Sequence, residues 1–229
     1  MIVAIYILVG LINIISDSLK ITSINYTTKV MLMPLLICIL YNETKKIKSF
    51  SLIYAALFFS WLGDIFLMFP RNEYSEKVRL MLFVFGLSSF LIAHINYIFH
   101  FIKEINTSKT EKSFIEQKPI YLLPFLVYLM VFFYFLFPFL GGLKIPVFVY
   151  GICIILMLAM ALNRKNKVAE NSFLLVFIGA ILFVVSDTVL AIHLFYQKMD
   201  WYRIVIMSTY IFGQLFIVKG IAKMLKFRQ

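Results

Sequence analysis

The chain has 229 residues, of which 62% are hydrophobic and 14% are charged, and its mean hydropathy is +0.94. This composition excludes a soluble domain, because a chain of this length would have too little polar surface to cover its apolar side chains. Where lipid is the solvent, every backbone polar group must be satisfied within helices or a closed barrel. The apolar runs are continuous and about twenty residues long, as transmembrane helices require, whereas barrel strands would alternate in polarity. We therefore predict an all-α, polytopic membrane helical bundle.

The apolar runs predict eight transmembrane helices, which in chain order cover 1–19, 24–41, 50–69, 80–101, 120–140, 145–162, 172–196 and 203–225. The first segment lacks the basic start and the small-residue cleavage site of a signal peptide, so we expect it to be retained. A charged and polar connection, 102–119, is predicted to be a solvated loop. It divides a single integral membrane domain, 1–229, into two four-helix halves, roughly 1–101 and 120–225.

The net charge of +11 is distributed unequally along the predicted connections. Fourteen Lys and Arg residues follow the second, fourth and sixth helices or lie at the C-terminus, and eight lie on the opposite side. The positive-inside rule then places both termini and the 102–119 loop in the cytoplasm. This topology and contact with anionic lipid explain the basic charge without a nucleic-acid partner. We expect a multi-pass protein of the plasma membrane, which in a bacterium is the cytoplasmic membrane.

Two acidic residues lie inside predicted transmembrane helices: Asp64 in FFSWLGDIFLMF and Asp187 in LFVVSDTVLAIHLF. An ionisable residue in such a segment is unfavourable to bury and is therefore a candidate for function. Each lies in the third helix of its half, Asp64 at ~8 Å and Asp187 at ~14 Å below the outer end of the segment. Two acids at comparable depth predict a shared polar pocket that opens toward the outer leaflet.

Further polar side chains align with the two aspartates in sequence and depth: Ser60, Ser186, His94, Tyr97, Tyr210, Gln214 and Lys29. Ser60 lies one helical turn before Asp64, and His94 and Tyr97 belong to one stripe of the fourth helix. Lys29 lies at the outer end of the second helix. Small residues beside these groups are expected to allow close helix approach, namely Gly63, Gly86, Gly179 and Gly213.

A structural role is the alternative for the same residues. The aspartates would then pair with Lys29 or His94 and fix the helix register, and His94 would make an interhelical hydrogen bond. His100 and His193 lie near segment ends and favour an interfacial position. We expect no metal site and no cofactor, because the three histidines form no familiar ligand set. Cys38 and Cys153 are expected to be small core residues, since their spacing indicates neither a disulfide nor a zinc site.

Four segments of the chain resemble the YhhN family, the lysoplasmalogenases: SWLGDIFLMF (60–69), FGLSSFLIAHINY (85–97), LFVVSDTVLAI (182–192) and YIFGQ (210–214). The "GD", "GL…F…AH…Y" and "SD…LA" elements have the order and similar separations of the family. Lys29 and Pro34 also resemble the family's early lysine and proline. Each motif alone is weak, but three in order on an eight-helix frame are fairly specific, and the resemblance extends over essentially the whole chain.

The resemblance implies a hydrolase that cleaves the vinyl ether bond of lysoplasmalogens, releasing a fatty aldehyde and a glycerophospho-alcohol. Two carboxyl groups in an apolar environment are suited to act as one acid and one base. Our hypothesis makes Asp187 the general acid and Asp64 the base, although these roles are exchangeable. Tyr210, Gln214 and His94, with Tyr97, Ser60 and Ser186 beside them, would position water or the glycerol hydroxyl. Lys29, together with Arg71 or Arg203, would bind the phosphate of the lysophospholipid.

Two other classes of function fit the sequence less well. Buried acids and a four-plus-four organisation also suit a proton-coupled transporter of a small or amphiphilic solute. The helices that carry the acids lack the paired Gly and Pro interruptions of discontinuous helices, which disfavours transport. A non-catalytic lipid-binding scaffold predicts that both aspartates tolerate Asn. The sequence indicates neither the head group preferred nor the oligomeric state.

Overall fold

The computed structural model describes residues 1–45, 48–69, 74–108 and 112–227, with side chains described as far as residue 224. Helices account for most of these residues, and no strand occurs among them. The helices are α1 (Ile2–Ser18), α2 (Thr22–Thr44), α3 (Ser51–Met68), α4 (Glu76–Asn106), α5 (Phe114–Gln117), α6 (Leu123–Leu136), α7 (Lys144–Asn163), α8 (Glu170–Ala191) and α9 (Tyr202–Phe227). A π-helical turn extends α8 to Tyr196.

Every predicted apolar segment lies on one of the long helices, in the predicted order. Within the described part of the chain, seven helical segments are long and apolar enough to cross a membrane. Of the eight predicted transmembrane segments, the one not among these seven is α1, which is apolar but only 17 residues long. The protein is therefore an all-helical, multi-pass bundle, as its composition indicates. An eighth crossing by α1 and the cytoplasmic position of both termini stay predictions.

The helices of the two predicted halves pack against each other. The helix α4 packs on α7, and α9 packs on both α1 and α2. Tyr6 of α1 donates a hydrogen bond to the carbonyl oxygen of Ile211 on α9 at 2.9 Å. Trp61 of α3 donates to the carbonyl oxygen of Val30 on α2 at 3.0 Å. These bonds between side chain and backbone fix helices that carry candidate site residues.

Glycines bring the backbones of α8 and α9 into direct contact. A Cβ atom on Gly179 would lie 2.7 Å from the carbonyl oxygen of Gly213 and 2.9 Å from the backbone nitrogen of Ile217. A methyl group does not fit there, because backbone atoms cannot move aside as a flexible side chain can. The predicted role of Gly179 and Gly213 in close helix approach is confirmed.

A buried ion pair joins α4, α7 and α8 at the end of the bundle opposite the α1–α2 connection. Arg164, which is 0% exposed, donates from Nε to Glu104 Oε2 at 2.6 Å and from Nη2 to the Ser172 hydroxyl at 3.0 Å. His100 lies 3.4 Å from Glu104 and is also buried. From the sequence, Arg164 is one of the fourteen cations expected in the connections or at the C-terminus, and His100 is expected near the membrane interface. Both side chains are buried instead, because each lies against the buried carboxyl group of Glu104.

Part of the long connection between the halves packs on the bundle. The helix α5 begins with a capping box of Ser113 and Glu116, and hydrogen bonds from the Ser113 backbone and hydroxyl hold the pKa of Glu116 below its usual range. The backbone nitrogen of Ile115 donates to Asn163 Oδ1 on α7 at 2.8 Å. Phe114 is buried. The prediction of a solvated loop is therefore wrong for Ser113 and Phe114, which are buried, whereas Glu116, Gln117 and Lys118 are exposed as predicted.

The two cysteines occupy different environments. Cys153 is buried on α7, as predicted. Cys38 is exposed on α2, so its predicted place in the core is wrong. Both cysteines are free thiols.

Gly179→Ala is expected to destabilise the bundle by about 1–3 kcal/mol, because the added methyl group forces two backbones apart. Thermal unfolding of the detergent-solubilised protein measures the effect. Gly142→Ala is the matched control, since nothing lies within 4 Å of a Cβ built at that position. Equal melting temperatures for the two variants would contradict the contact.

Arg164→Met is expected to destabilise the protein by about 3–5 kcal/mol, because Glu104 is left buried without its partner. Lys219→Met, which breaks a half-exposed pair with Glu43 of 2.5 Å, is the control and should lose about 0–1 kcal/mol. The double variant Glu104→Gln/Arg164→Met should recover much of the lost melting temperature. A double variant as unstable as Arg164→Met would show that the charge is not the cause.

Candidate active site

A cavity of about 930 Å³ lies among the helices, and both predicted catalytic aspartates line it. Its walls come from α1, α2, α3, α4, α6, α7, α8 and α9, so helices from both ends of the chain contribute. Its mouth lies at the end of the bundle that carries the α1–α2 and α8–α9 connections, both of which supply lining residues. The volume lies within the range of small-molecule sites. The predicted shared pocket thus corresponds to a cavity in the structure.

Asp64 is held by residues from two other helices. The carboxyl group lies on α3 and its residue is 3% exposed. The Tyr210 hydroxyl, on α9, donates to Asp64 Oδ2 at 2.7 Å. The Lys29 ammonium, on α2, lies 3.8 Å from Asp64 Oδ1. One oxygen of this carboxyl group therefore accepts a hydrogen bond, and the other lies near a positive charge.

Asp187 is half-buried on α8 and has a different partner. The hydroxyl of Tyr150, on α7, donates a hydrogen bond to Asp187 Oδ2. Within the described part of the chain, no Lys or Arg forms an ion pair with Asp187. The two aspartates thus each have a tyrosine partner, but only Asp64 has a cation. This difference is the main electrostatic asymmetry of the cavity.

A second tyrosine lies beside Asp187. The hydroxyl groups of Tyr128 on α6 and Thr188 on α8 are 2.6 Å apart, and Thr188 also donates to the carbonyl oxygen of Val184. Tyr128 and Tyr150 both line the cavity, although neither is among the site residues predicted from the sequence. Each is one tyrosine in an apolar segment rich in aromatic residues. Only the tertiary packing distinguishes them from tyrosines such as Tyr134, which is exposed on α6.

Three of the predicted positioning residues form a chain behind Asp64. Tyr97 on α4 donates to Gln214 Oε1 on α9 at 2.7 Å, and Gln214 Nε2 donates to the Ser60 hydroxyl on α3 at 3.3 Å. All three are fully buried, and none of them lines the cavity. The structure brings them together, but in the wall and not at the cavity surface. Their predicted contact with water or substrate stays a prediction.

His94 and Ser186 are both predicted to position water or the glycerol hydroxyl, and the structure gives them different surroundings. His94 is 0% exposed, and its ring packs edge-on against Tyr150 and Phe183 with centroid distances of 5.4 and 4.8 Å. Neither of its ring nitrogens has a hydrogen-bond partner among the described residues. Ser186 lines the cavity but donates to the carbonyl oxygen of Ile206 on α9 at 3.1 Å. Their roles in positioning water stay predictions.

The mouth of the cavity is basic. Arg203 donates from Nη1 to Asp17 Oδ1 at 2.7 Å, and Lys20 and Lys198 also line the mouth. Both lysines lie in connections, where a sequence alone does not distinguish a binding residue from a solvated one. Arg71, the other cation predicted at this rim, lies outside the described residues.

The fold and the cavity define a polytopic helical membrane protein with two carboxyl groups in one interhelical cavity. The chain belongs to the YhhN family, whose model matches residues 24–221 and so covers most of the chain. The resemblance found in the sequence motifs is confirmed. Membership of this family fits a lysoplasmalogenase-like hydrolase. No curated protein and no solved structure matches the chain.

Proposed function

We propose that the protein is a membrane-embedded hydrolase that cleaves the vinyl ether bond of lysoplasmalogens. The products are a fatty aldehyde and a glycerophospho-alcohol. Family membership supports the reaction class. The observation that carries the mechanism is the pair Asp64 and Asp187, which line one cavity with unlike partners.

Asp187 is proposed as the general acid. Hydrolysis of an enol ether begins when a proton is delivered to the β-carbon, which leaves an oxocarbenium ion. The acid must hold its proton until the substrate is bound. A half-buried carboxyl group without a neighbouring cation among the described residues is suited to this task, and the partner of Asp187 is the neutral hydroxyl of Tyr150.

Asp64 is proposed as the base. The Lys29 ammonium at 3.8 Å supports a carboxylate at this position, and the Tyr210 hydroxyl donates to the same group. A carboxylate stabilises the positive charge of the oxocarbenium ion and accepts a proton from the water that attacks it. The product of this step is a hemiacetal. In its collapse, the hydroxyl proton returns to Asp187 and Asp64 passes its proton to the leaving glycerol oxygen, which restores both residues.

The shape of the cavity fits an amphiphilic substrate. Its interior contains apolar side chains that suit an alkenyl chain, among them Leu67, Leu87, Leu129 and Phe132. The segment Pro119–Phe139, which contains α6 and forms one wall, is the least buried of the seven membrane-length segments. This wall therefore borders lipid. We propose eight crossings with cytoplasmic termini in the plasma membrane, and the polar mouth would then lie on the outer face.

Proton-coupled transport is the second candidate. The ion pair of Lys29 and Asp64 beside a cavity that opens at one end suits a carrier that exchanges a proton for a solute. Transport predicts no chemical change in the lysolipid. The two functions are therefore separated by the assay below.

The test is aldehyde release from lysoplasmenyl-ethanolamine by the purified, detergent-solubilised protein. Wild-type turnover is expected, with a loss of about 10²–10⁴-fold in Asp187→Asn and in Asp64→Asn, because each removes one proton-transfer group. Asp200→Asn is the matched control, since Asp200 is exposed and does not line the cavity. Retained turnover in both site variants would end the acid–base mechanism. A folded wild-type protein without turnover would overturn the proposed reaction.

Lys29→Met distinguishes the two roles open to Lys29. If the lysine supports Asp64, kcat should fall about tenfold or more while KM changes little, because the defect lies in the base and not in substrate binding. If Lys29 binds the phosphate, KM should rise instead. Lys144→Met is the control on the same end of the bundle, where the ammonium contacts the ring of Phe137 and does not line the cavity. Steady-state kinetics on the same substrate give both constants.

A further inference from the structure

We propose that the mouth of the cavity is a binding site for a phosphodiester, formed by Lys20, Lys198 and Arg203. The inference rests on the proposed function and locates the head group of its substrate. In this arrangement the phosphate does not bind Lys29, as the sequence predicts, but binds nearer the opening of the cavity. Three features of the mouth support the assignment: free ammonium groups, a fixed guanidinium group and the position of both relative to the aspartates.

Lys20 and Lys198 are available to a ligand. Lys20 lies in the α1–α2 connection and Lys198 in the α8–α9 connection, and both side chains are exposed at the cavity mouth. Neither ammonium group has a hydrogen-bond or ion-pair partner among the residues that the structure describes. Two unpaired cations from separate connections thus border the same opening, where like charges repel in the absence of an anion.

Arg203 is fixed in place beside them. Its Nη1 donates to Asp17 Oδ1 at 2.7 Å, and its guanidinium carbon lies 5.3 Å from the centroid of the Tyr202 ring. The Tyr202 ring is itself stacked on His193 at 3.3 Å. The Arg203 side chain is 36% exposed, so the remaining donors of its planar group face the opening. With one carboxylate against three cations, the mouth keeps a positive balance.

The position of these cations matches the shape of a lysophospholipid. Lys29 lies deeper and is paired with Asp64, so much of its charge is already balanced. The phosphate and the vinyl ether of the substrate are attached to opposite ends of one glycerol unit. A phosphate at the mouth therefore directs the vinyl ether inward, toward Asp64 and Asp187, and the alkenyl chain into the apolar part of the cavity.

A lipid head group and free phosphate present the same oxygens to these cations. The continuous apolar wall beyond the mouth favours the lipid, because Leu87, Leu129 and Phe132 offer nothing to a free ion. The test therefore uses three probes: 1-O-alkyl-lysophosphatidylethanolamine, the phosphate-free 1-O-alkylglycerol, and inorganic phosphate. The alkyl ether is not a vinyl ether and is not cleaved, so binding is measured even if the proposed reaction fails.

Binding of the labelled alkyl lysophospholipid in nanodiscs is compared between wild type and Lys20→Gln/Lys198→Gln. The Kd is expected to rise at least tenfold in the variant, because two charge-assisted hydrogen bonds are lost. The Kd of the alkylglycerol should stay unchanged. The control Lys45→Gln/Lys165→Gln removes the same charge at the other end of the bundle and should bind both lipids as wild type does. An unchanged Kd for the phospholipid, or an equal rise for both lipids, would overturn the proposal.

Inorganic phosphate separates the two sources of the anion. Competition with the labelled lysophospholipid in wild type, and none in the lysine variant, supports a phosphate site at the mouth that a lipid occupies. Phosphate binding at the mouth without any binding of the lysophospholipid would overturn the assignment to a head group. Both outcomes are independent of turnover, so they distinguish a failure of this inference from a failure of the proposed reaction.

Discussion

The structure depends on how a carboxyl group is held inside a bundle that lies in lipid. Asp64 is accommodated because α2 supplies Lys29 and α9 supplies Tyr210, so three helices must meet at one point. An acid in hydrocarbon without such partners is strongly unfavourable. The requirement therefore fixes the relative positions of helices from both halves of the chain. The cavity is the space that remains between them, and its polar lining follows from the same partners.

The two aspartates show how similar residues acquire different chemistry. Asp64 lies on α3 and Asp187 on α8, and each accepts a hydrogen bond from a tyrosine of another helix, Tyr210 on α9 or Tyr150 on α7. They differ in Lys29, which belongs to the first half and reaches only Asp64. Lys29 thus makes the electrostatic surroundings of the two carboxyl groups unlike. Paired carboxyl groups with unlike surroundings are a general source of acid and base roles.

Much of the fold follows from the sequence, because a bilayer leaves few choices for an apolar chain. Each long apolar run became a helix in the expected place, and Asp64 and Asp187 came together as their depth predicted. The failures involve side chains whose environment depends on a distant partner. Arg164 is buried because it pairs with Glu104, and these two residues are 60 positions apart in the chain. Tyr150 and Tyr128 resemble other aromatic residues of their segments until tertiary packing places them beside Asp187 and Thr188. Depth along a helix is readable from sequence, whereas direction around it depends on the neighbours.

The contact of Gly179 with Gly213 holds the backbones of α8 and α9 against each other, and these two helices carry Asp187, Tyr210 and Arg203. By contrast, α6 contributes Leu129 and Phe132 to the same cavity from a helix whose other faces are exposed. Asp187 and this part of the apolar wall thus lie on different helices. Under the proposed function, substitutions on α6 would therefore change the hydrocarbon chain that the cavity accepts without altering the contact between α8 and α9.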